Sequence, residues 1–219
     1  MTSACETLII ACGALAKEIV FLQKQLGLEA DLQCLPADFH NSPGKIVPGL
    51  KAILDERVSS YERVLIGYGD CGTGGGLDRL LENYPTAMRL PGAHCYAFFS
   101  GLGRFHDMME DELGSFFLTD YLVRHFDTII IKGMGLDRFP DLKETYFKNY
   151  KKLVYVAQTE NTKLKQKAQE AALKLGLSFD YKFVGYGALV KAMAMHRPCL
   201  LYTSPSPRDA TLSRMPSSA

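Results

Sequence analysis

Residues 153–184 read LVYVAQTENTKLKQKAQEAALKLGLSFDYKFV. Leu153–Ala157 is a short apolar run of strand length, and Phe179–Val184 is a second run rich in aromatic and β-branched residues. Between them Thr162–Leu175 has the length and composition of a helix, closed by Gly176. Lys163, Lys165 and Lys167, with Glu160 and Glu170, form the polar face of that helix. Strand, helix and strand in this order make a βαβ unit. The same alternation recurs toward the N-terminus. Thr7–Cys12 (TLIIAC) is a buried-strand pattern ending at Gly13, and Ala14–Leu26 carries Leu15, Ile19, Leu22 and Leu26 at helical spacing before Gly27. Asp31–Leu35 reads as a strand, Pro48–Val58 as a helix and Val64–Tyr68 as a strand. Leu77–Tyr84 follows as a helix after a glycine-rich loop, and Ala87–Leu90 as a weak strand. Phe98–Glu112 reads as broken helix and Thr119–Phe126 as helix. Thr128–Ile131 is β-branched enough to be a strand. Repeated alternation predicts an α/β fold with a mostly parallel, doubly wound, Rossmann-like sheet. A final strand is expected to be missing after a helix near Ala188–Met195.

The chain has 219 residues, a formal net charge of +1 and no long run of Lys or Arg, which argues against nucleic-acid binding and against a membrane surface. No segment approaches the roughly 18 consecutive apolar residues of a membrane span. The N-terminus has no basic start and carries Glu6 and Glu18, so no signal peptide and a cytoplasmic location are expected. Residues Cys199–Ala219, CLLYTSPSPRDATLSRMPSSA, shift abruptly to Ser, Pro, Thr and Arg. This stretch resembles a translated sequencing adapter. The expectation is therefore a single native α/β domain over 1–198 with a non-native, disordered tail over 199–219. Without Arg208, Asp209 and Arg214 the remainder is neutral, and five cysteines remain, an odd number that favours thiols or metal ligands over a disulfide framework.

Three of those cysteines share a position. Cys12 ends a strand, Cys71 follows one in GYGDCG, and Cys95 follows the Ala87–Leu90 segment. In an open parallel sheet, ligands bind beyond the carboxyl ends of the strands. All three thiols are thus expected at one edge, able to hold zinc with an open fourth position or three corners of an iron–sulfur cluster. The alternative is that they are ordinary buried cysteines, and Cys5 and Cys34 lack the pattern altogether. His94, next to Cys95, is a candidate fourth ligand or catalytic proton donor, or else a hydrogen-bonded loop histidine.

The loop Gly67–Gly76 contains GxGxxG from Gly67 to Gly72 between a strand and a helix. The acid that a dinucleotide fingerprint requires about 20 residues later is absent from Ala87–Leu90, and no P-loop Lys-Ser/Thr pair occurs. The amides of Gly69, Gly72, Gly74 and Gly75 remain candidates for cradling a cofactor or anion. Asp70 is a candidate catalytic acid or base; Asp78 suits charge complementarity at a helix N-terminus. Glu18 faces either the same edge or solvent. Tyr96, Phe98, Phe99, Phe105, Phe116 and Phe117 are expected as core, a pocket wall or an aromatic lid. Neither a Ser-His-Asp arrangement nor HExxH is visible.

Cys12-Gly13-x-Leu15-x-x-Glu18, Tyr68-Gly69-x-Cys71-Gly72, His94-Cys95 and Leu118-Thr119-Asp120 together resemble the family of domain of unknown function 1638, over Thr7 to about Pro198. The resemblance implies companionship with corrinoid-dependent methyltransferase systems. On that footing the leading expectation is a metal-binding protein, zinc or iron–sulfur, of one-carbon metabolism with Cys12, Cys71 and Cys95 as ligands and a small-molecule substrate. Two alternatives stand beside it. One is a non-catalytic accessory protein that contacts a corrinoid protein or methyltransferase. The other is a metal-free enzyme with Cys71 as nucleophile, its thiol preceding a helix N-terminus.

Overall fold

The computed structural model describes residues 6–95, 97–111 and 114–194. The 199–219 tail, the final strand expected after Met195, Cys5 and Tyr96 lie outside the described residues. Within them the chain is α/β with all strand pairs parallel, as the alternation predicts. The strands form two sheets. The first has the order β2-β1-β3-β4, from β1 (Thr7–Cys12), β2 (Asp31–Leu35), β3 (Arg63–Gly67) and β4 (Ala87–Arg89). The second has the order β5-β6-β7, from β5 (Ser115–Thr119), β6 (Lys152–Ala157) and β7 (Ser178–Phe183). Helices α1 (Ala16–Leu26), α2 (Ile46–Arg57) and α3 (Gly76–Leu81) connect the first four strands, and α4 (Ala97–Ser100) and α5 (Leu102–Asp111) lead into the second sheet. There α6 (Asp120–Arg124), α7 (Leu142–Phe147) and α8 (Thr162–Leu175) complete the crossovers, and α9 (Gly187–Ala194) follows β7.

Each sheet has its own core. β1 is buried along its whole length because α1 and α2 cover it with Ile19, Leu22, Leu50 and Leu54. The second core joins Leu153 and Tyr155 to Ala168, Ala171 and Ala172 of α8, whose alanines let helix and sheet approach closely. The two halves are stitched together by α9. It leaves the second sheet and buries Leu189 and Met193 in the first core, packing on α4 and α1.

The sequence reading is corrected at one place and incomplete at another. Thr128–Ile131 is no strand: Asp127–Lys132 is a turn of π-helix continuing from α6, burying Ile129 and Ile130. A four-residue apolar run is ambiguous by periodicity, and here Phe126 already has helical dihedrals, so the chain stays coiled. The strand that this stretch was expected to supply is β5, SFFLT, paired in register with β6 from Ser115↔Lys152 to Thr119↔Val156. Phe117 is thereby core, against Val154 and Val156. Among the described residues no helix is long and apolar enough to cross a membrane.

Candidate functional site

In the first sheet the winding direction reverses between β1 and β3: β2 lies on one side of β1 and β3 on the other. The loops after β1 and β3 therefore diverge and leave a crevice at their carboxyl ends, where α/β sheets bind ligands. A cavity of about 260 Å³ lies there. Its walls come from both halves: Cys12, Tyr68, Cys71, Gly72, His94 and Cys95 from the loops of the first sheet, and Thr119, Tyr121, Leu122 and Ile129 from the end of β5 and beyond. His40, in the turn after β2, closes another side. Its size falls below the roughly 300–1,000 Å³ of drug-sized pockets, so a small molecule is the natural guest.

The three cysteines expected at one edge all line this cavity, though they are not equivalent. Cys71 and Cys95 touch, with sulfurs 3.3 Å apart. The backbone enforces that contact. Asp70 N–H donates to the Gly92 carbonyl at 2.9 Å and Cys71 N–H to the Ala93 carbonyl at 2.8 Å, strapping the β3 loop to the β4 loop. Gly69 permits the approach, since a Cβ there would sit 2.9 Å from the Gly92 oxygen and 3.1 Å from the His94 nitrogen. Cys71 itself has φ 48°, a left-handed conformation that side chains adopt only under constraint. Cys12, 7% exposed, lies on the wall formed by the end of β1.

The electrostatics separate the thiols. The hydrogen bond from Cys95 holds the Cys71 thiol below its ordinary pKa, helped by the Gly69 and Cys95 backbone and opposed by burial. The same contact, with burial, pushes Cys95 well up, so of the two thiols Cys71 is the one that ionises more readily. Burial raises Cys12, against interactions with the Ala14 backbone and the Tyr68 side chain. Tyr68 is 2% exposed, and its buried hydroxyl has no hydrogen-bond partner of good geometry, while burial and the neighbouring thiols raise its pKa. His40 is held below its usual value by withdrawal of its ring from solvent and then by the charge of His94, whose own ring packs edge-on to Phe105 at 6.2 Å.

The other sequence candidates divide. Gly72 lines the cavity at φ 82°. Gly74 and Gly75 do not, because their amides donate to the Asp70 carboxylate at 3.1 and 2.7 Å, and the Thr73 hydroxyl adds a third bond at 2.8 Å. These bonds, the Gly75 amide first, hold the Asp70 carboxyl below its usual value and make it the organiser of the loop. Asp78 is taken up by a bidentate pair with Arg89, at 2.5 and 2.7 Å. Glu18 lies beneath the surface at 5% exposure and does not line the cavity. Sequence reasoning gave no site role to His40, Tyr68, Thr119 or Tyr121, although Tyr68 and Thr119 stand in the motifs that carry the resemblance. His40 and Tyr68 follow strand ends, a usable signal; the place of Thr119 and Tyr121 on the wall depends on recognising β5.

Among the described residues, no group of three or more His, Cys, Asp or Glu is drawn together closely enough to hold a metal ion.

No curated protein and no solved structure matches the chain. A family described only as a protein of unknown function, DUF1638, matches residues 34–193, a span that holds Cys71, Cys95 and all of the second sheet. The chain belongs to the DUF1638 family.

Proposed function

We propose that the protein binds a small, largely apolar molecule in the cavity shared by its two sheets and acts on it with the Cys71 sulfur. The observation that carries this reading is the 3.3 Å contact between Cys71 and Cys95 on the wall of that cavity. A thiol whose pKa is lowered by a hydrogen-bonded neighbour is a familiar form of activated nucleophile. Cys95 supplies the hydrogen bond and His94 and His40 stand by for proton transfer. Among the described residues Cys12, Cys34, Cys71 and Cys95 are all free thiols, which fits a reducing compartment such as the cytoplasm. Timed alkylation of the full chain with iodoacetamide at neutral pH, mapped by mass spectrometry, tests the reading. Cys71 should be modified ahead of Cys34, although Cys34 is the more exposed. Modification of Cys34 first, with Cys71 inert, sinks it.

A second reading is favoured by Cys12 on the same wall and by the orphaned Tyr68 hydroxyl. Cys71 and Cys95 would supply two ligands to zinc or to an iron–sulfur cluster, with Cys12 or His94 drawn in as a third and the cavity feeding the open position. Such a centre would polarise or accept the small molecule. The partners implied by resemblance, a corrinoid protein or a corrinoid-dependent methyltransferase, belong to this reading, because thiol-held metals serve methyl transfer. Near-stoichiometric zinc or iron after anaerobic purification, protecting all three cysteines from alkylation until a chelator is added, supports it. Equal alkylation with and without added metal excludes it.

A further inference from the structure

We infer that Cys71 and Cys95 are a dithiol–disulfide redox couple whose oxidising substrate is a small disulfide entering the cavity. The inference rests on the thiol reading of the site and names its substrate class. The two sulfurs stand 3.3 Å apart, and a disulfide bond is about 2.05 Å long. The closure of little more than an ångström that remains falls within the reach of side-chain rotation. The cysteines are 24 positions apart and come from different loops, yet those loops are already strapped together by the Asp70 and Cys71 amides. Forming the bond therefore requires no new loop closure. Because both cysteines line the cavity, an incoming disulfide has a route to Cys71 and its released half a route out.

The chemistry is a pair of exchanges. The Cys71 sulfur attacks one sulfur of the small disulfide; that S–S bond breaks, and the departing thiolate takes up a proton and leaves as a thiol. A mixed disulfide remains on Cys71. Cys95 then loses its proton and attacks the Cys71 sulfur. The mixed S–S bond breaks, and the second thiolate leaves, protonated. Two protein thiols are oxidised and one small disulfide is reduced to two thiols. Running in reverse, two molecules of a small thiol reduce the oxidised pair to the dithiol and leave as one small disulfide.

The test uses the full chain, reduced and handled without oxygen, and bis(2-hydroxyethyl) disulfide as a small neutral probe. The intact mass should fall by two hydrogens, and digestion should yield a Cys71–Cys95 cross-linked peptide that excess 2-mercaptoethanol removes. Cys95→Ser should stop at the first exchange and accumulate a mixed disulfide on Cys71, whereas Cys71→Ser should form neither product. A wild-type protein that holds a stable mixed disulfide, or cross-links through Cys12 or Cys34 instead, overturns the inference. The alkylation experiment separates the two failures. Rapid alkylation of Cys71 without any cross-link discards the redox couple and leaves the nucleophile standing, whereas an inert Cys71 discards both.

Discussion

What distinguishes Cys71 from the other thiols is its neighbours rather than its identity. A buried thiol ordinarily becomes harder to ionise, as Cys12 does. Cys71 reverses that trend through the Cys95 hydrogen bond, and the bond exists because two loop amides and one missing Cβ bring the loops together. Gly69→Ala tests this causal order. The new methyl group would press on the Gly92 oxygen, at a cost of about 1–3 kcal/mol for an overpacked site. It should slow alkylation of Cys71 at neutral pH far more than it shifts the unfolding midpoint; unchanged alkylation would mean that the contact survives without the close approach. Asp70 gives a second residue-level prediction. Its carboxyl is held below the usual value by the Gly75 amide, so its contribution is present above the unfolded pKa and is lost as pH falls through the lower, folded one. Asp70→Asn should therefore remove part of the acid-side loss of stability, seen in denaturant melts below about pH 4. Because the Asp70 charge opposes ionisation of Cys71, the variant should also move the Cys71 alkylation profile toward lower pH, and an unmoved profile would mean that the carboxylate is screened from the thiol.

The elements were legible in the sequence wherever local pattern and tertiary outcome agree. The βαβ unit of β6, α8 and β7 is such a case: Asn161 caps α8 through the Leu164 amide, and Gly176 closes it at φ 77°. The cysteine-bearing strand ends were legible for the same reason, because the sheet-edge rule needs only strand boundaries. What stayed hidden depends on context. Ser115–Thr119 has too few residues to declare itself against the aromatic segment around it, and becomes a strand by pairing with β6. Thr128–Ile131 has strand composition, but its backbone is committed by the helix before it. The splitting of the strands between two sheets is likewise a property of packing, invisible to periodicity. Asp120 joins the hidden strand to its partner. Fully buried, it accepts from the Tyr155 hydroxyl at 2.8 Å, the Gln158 amide at 2.9 Å and the Thr159 hydroxyl at 2.5 Å, tying the ends of β5 and β6 together. Asp120→Ala strands those donors and should cost about 3 kcal/mol or more in urea unfolding. A loss under about 1 kcal/mol would mean that water replaces the carboxylate and that β5 is held by its ladder alone.

At the scale of the whole molecule, the cavity exists only while the two halves stay in register, since Tyr68 and Cys71 come from one and Thr119 and Tyr121 from the other. Half-buried polar contacts bridge the halves: Asn41 Nδ2 donates to the Ile129 carbonyl at 2.9 Å, and an ion pair lies between α1 and α6. Glu18 on α1 and Arg124 on α6 stand 4.0 Å apart, and Arg124 also reaches Asp120 at 3.4 Å. One guanidinium thus serves two carboxylates, and one Glu18 oxygen is left without a partner. Burial raises the Glu18 pKa; Arg124 opposes that shift and Asp120 reinforces it. For an acid whose folded value is raised, the associated stability is complete below the unfolded pKa and is lost as pH rises through the folded one. Ionised Glu18 should therefore burden the fold at neutral pH. Glu18→Gln keeps the shape, removes the charge and leaves Arg124 to Asp120. The variant should unfold at higher denaturant than the wild type at neutral pH, with the gap closing as pH falls below about 4, the region where a free glutamate protonates. A variant less stable than the wild type at neutral pH would reverse the assignment: the Arg124 attraction would then outweigh the burial penalty, and the ion pair would be a net clamp between the halves. In that case the cavity should also loosen, and Cys71 alkylation should accelerate in the same variant. If burial dominates, the variant should tighten the halves and leave the reactivity of the thiol pair unchanged, because Glu18 does not line the cavity.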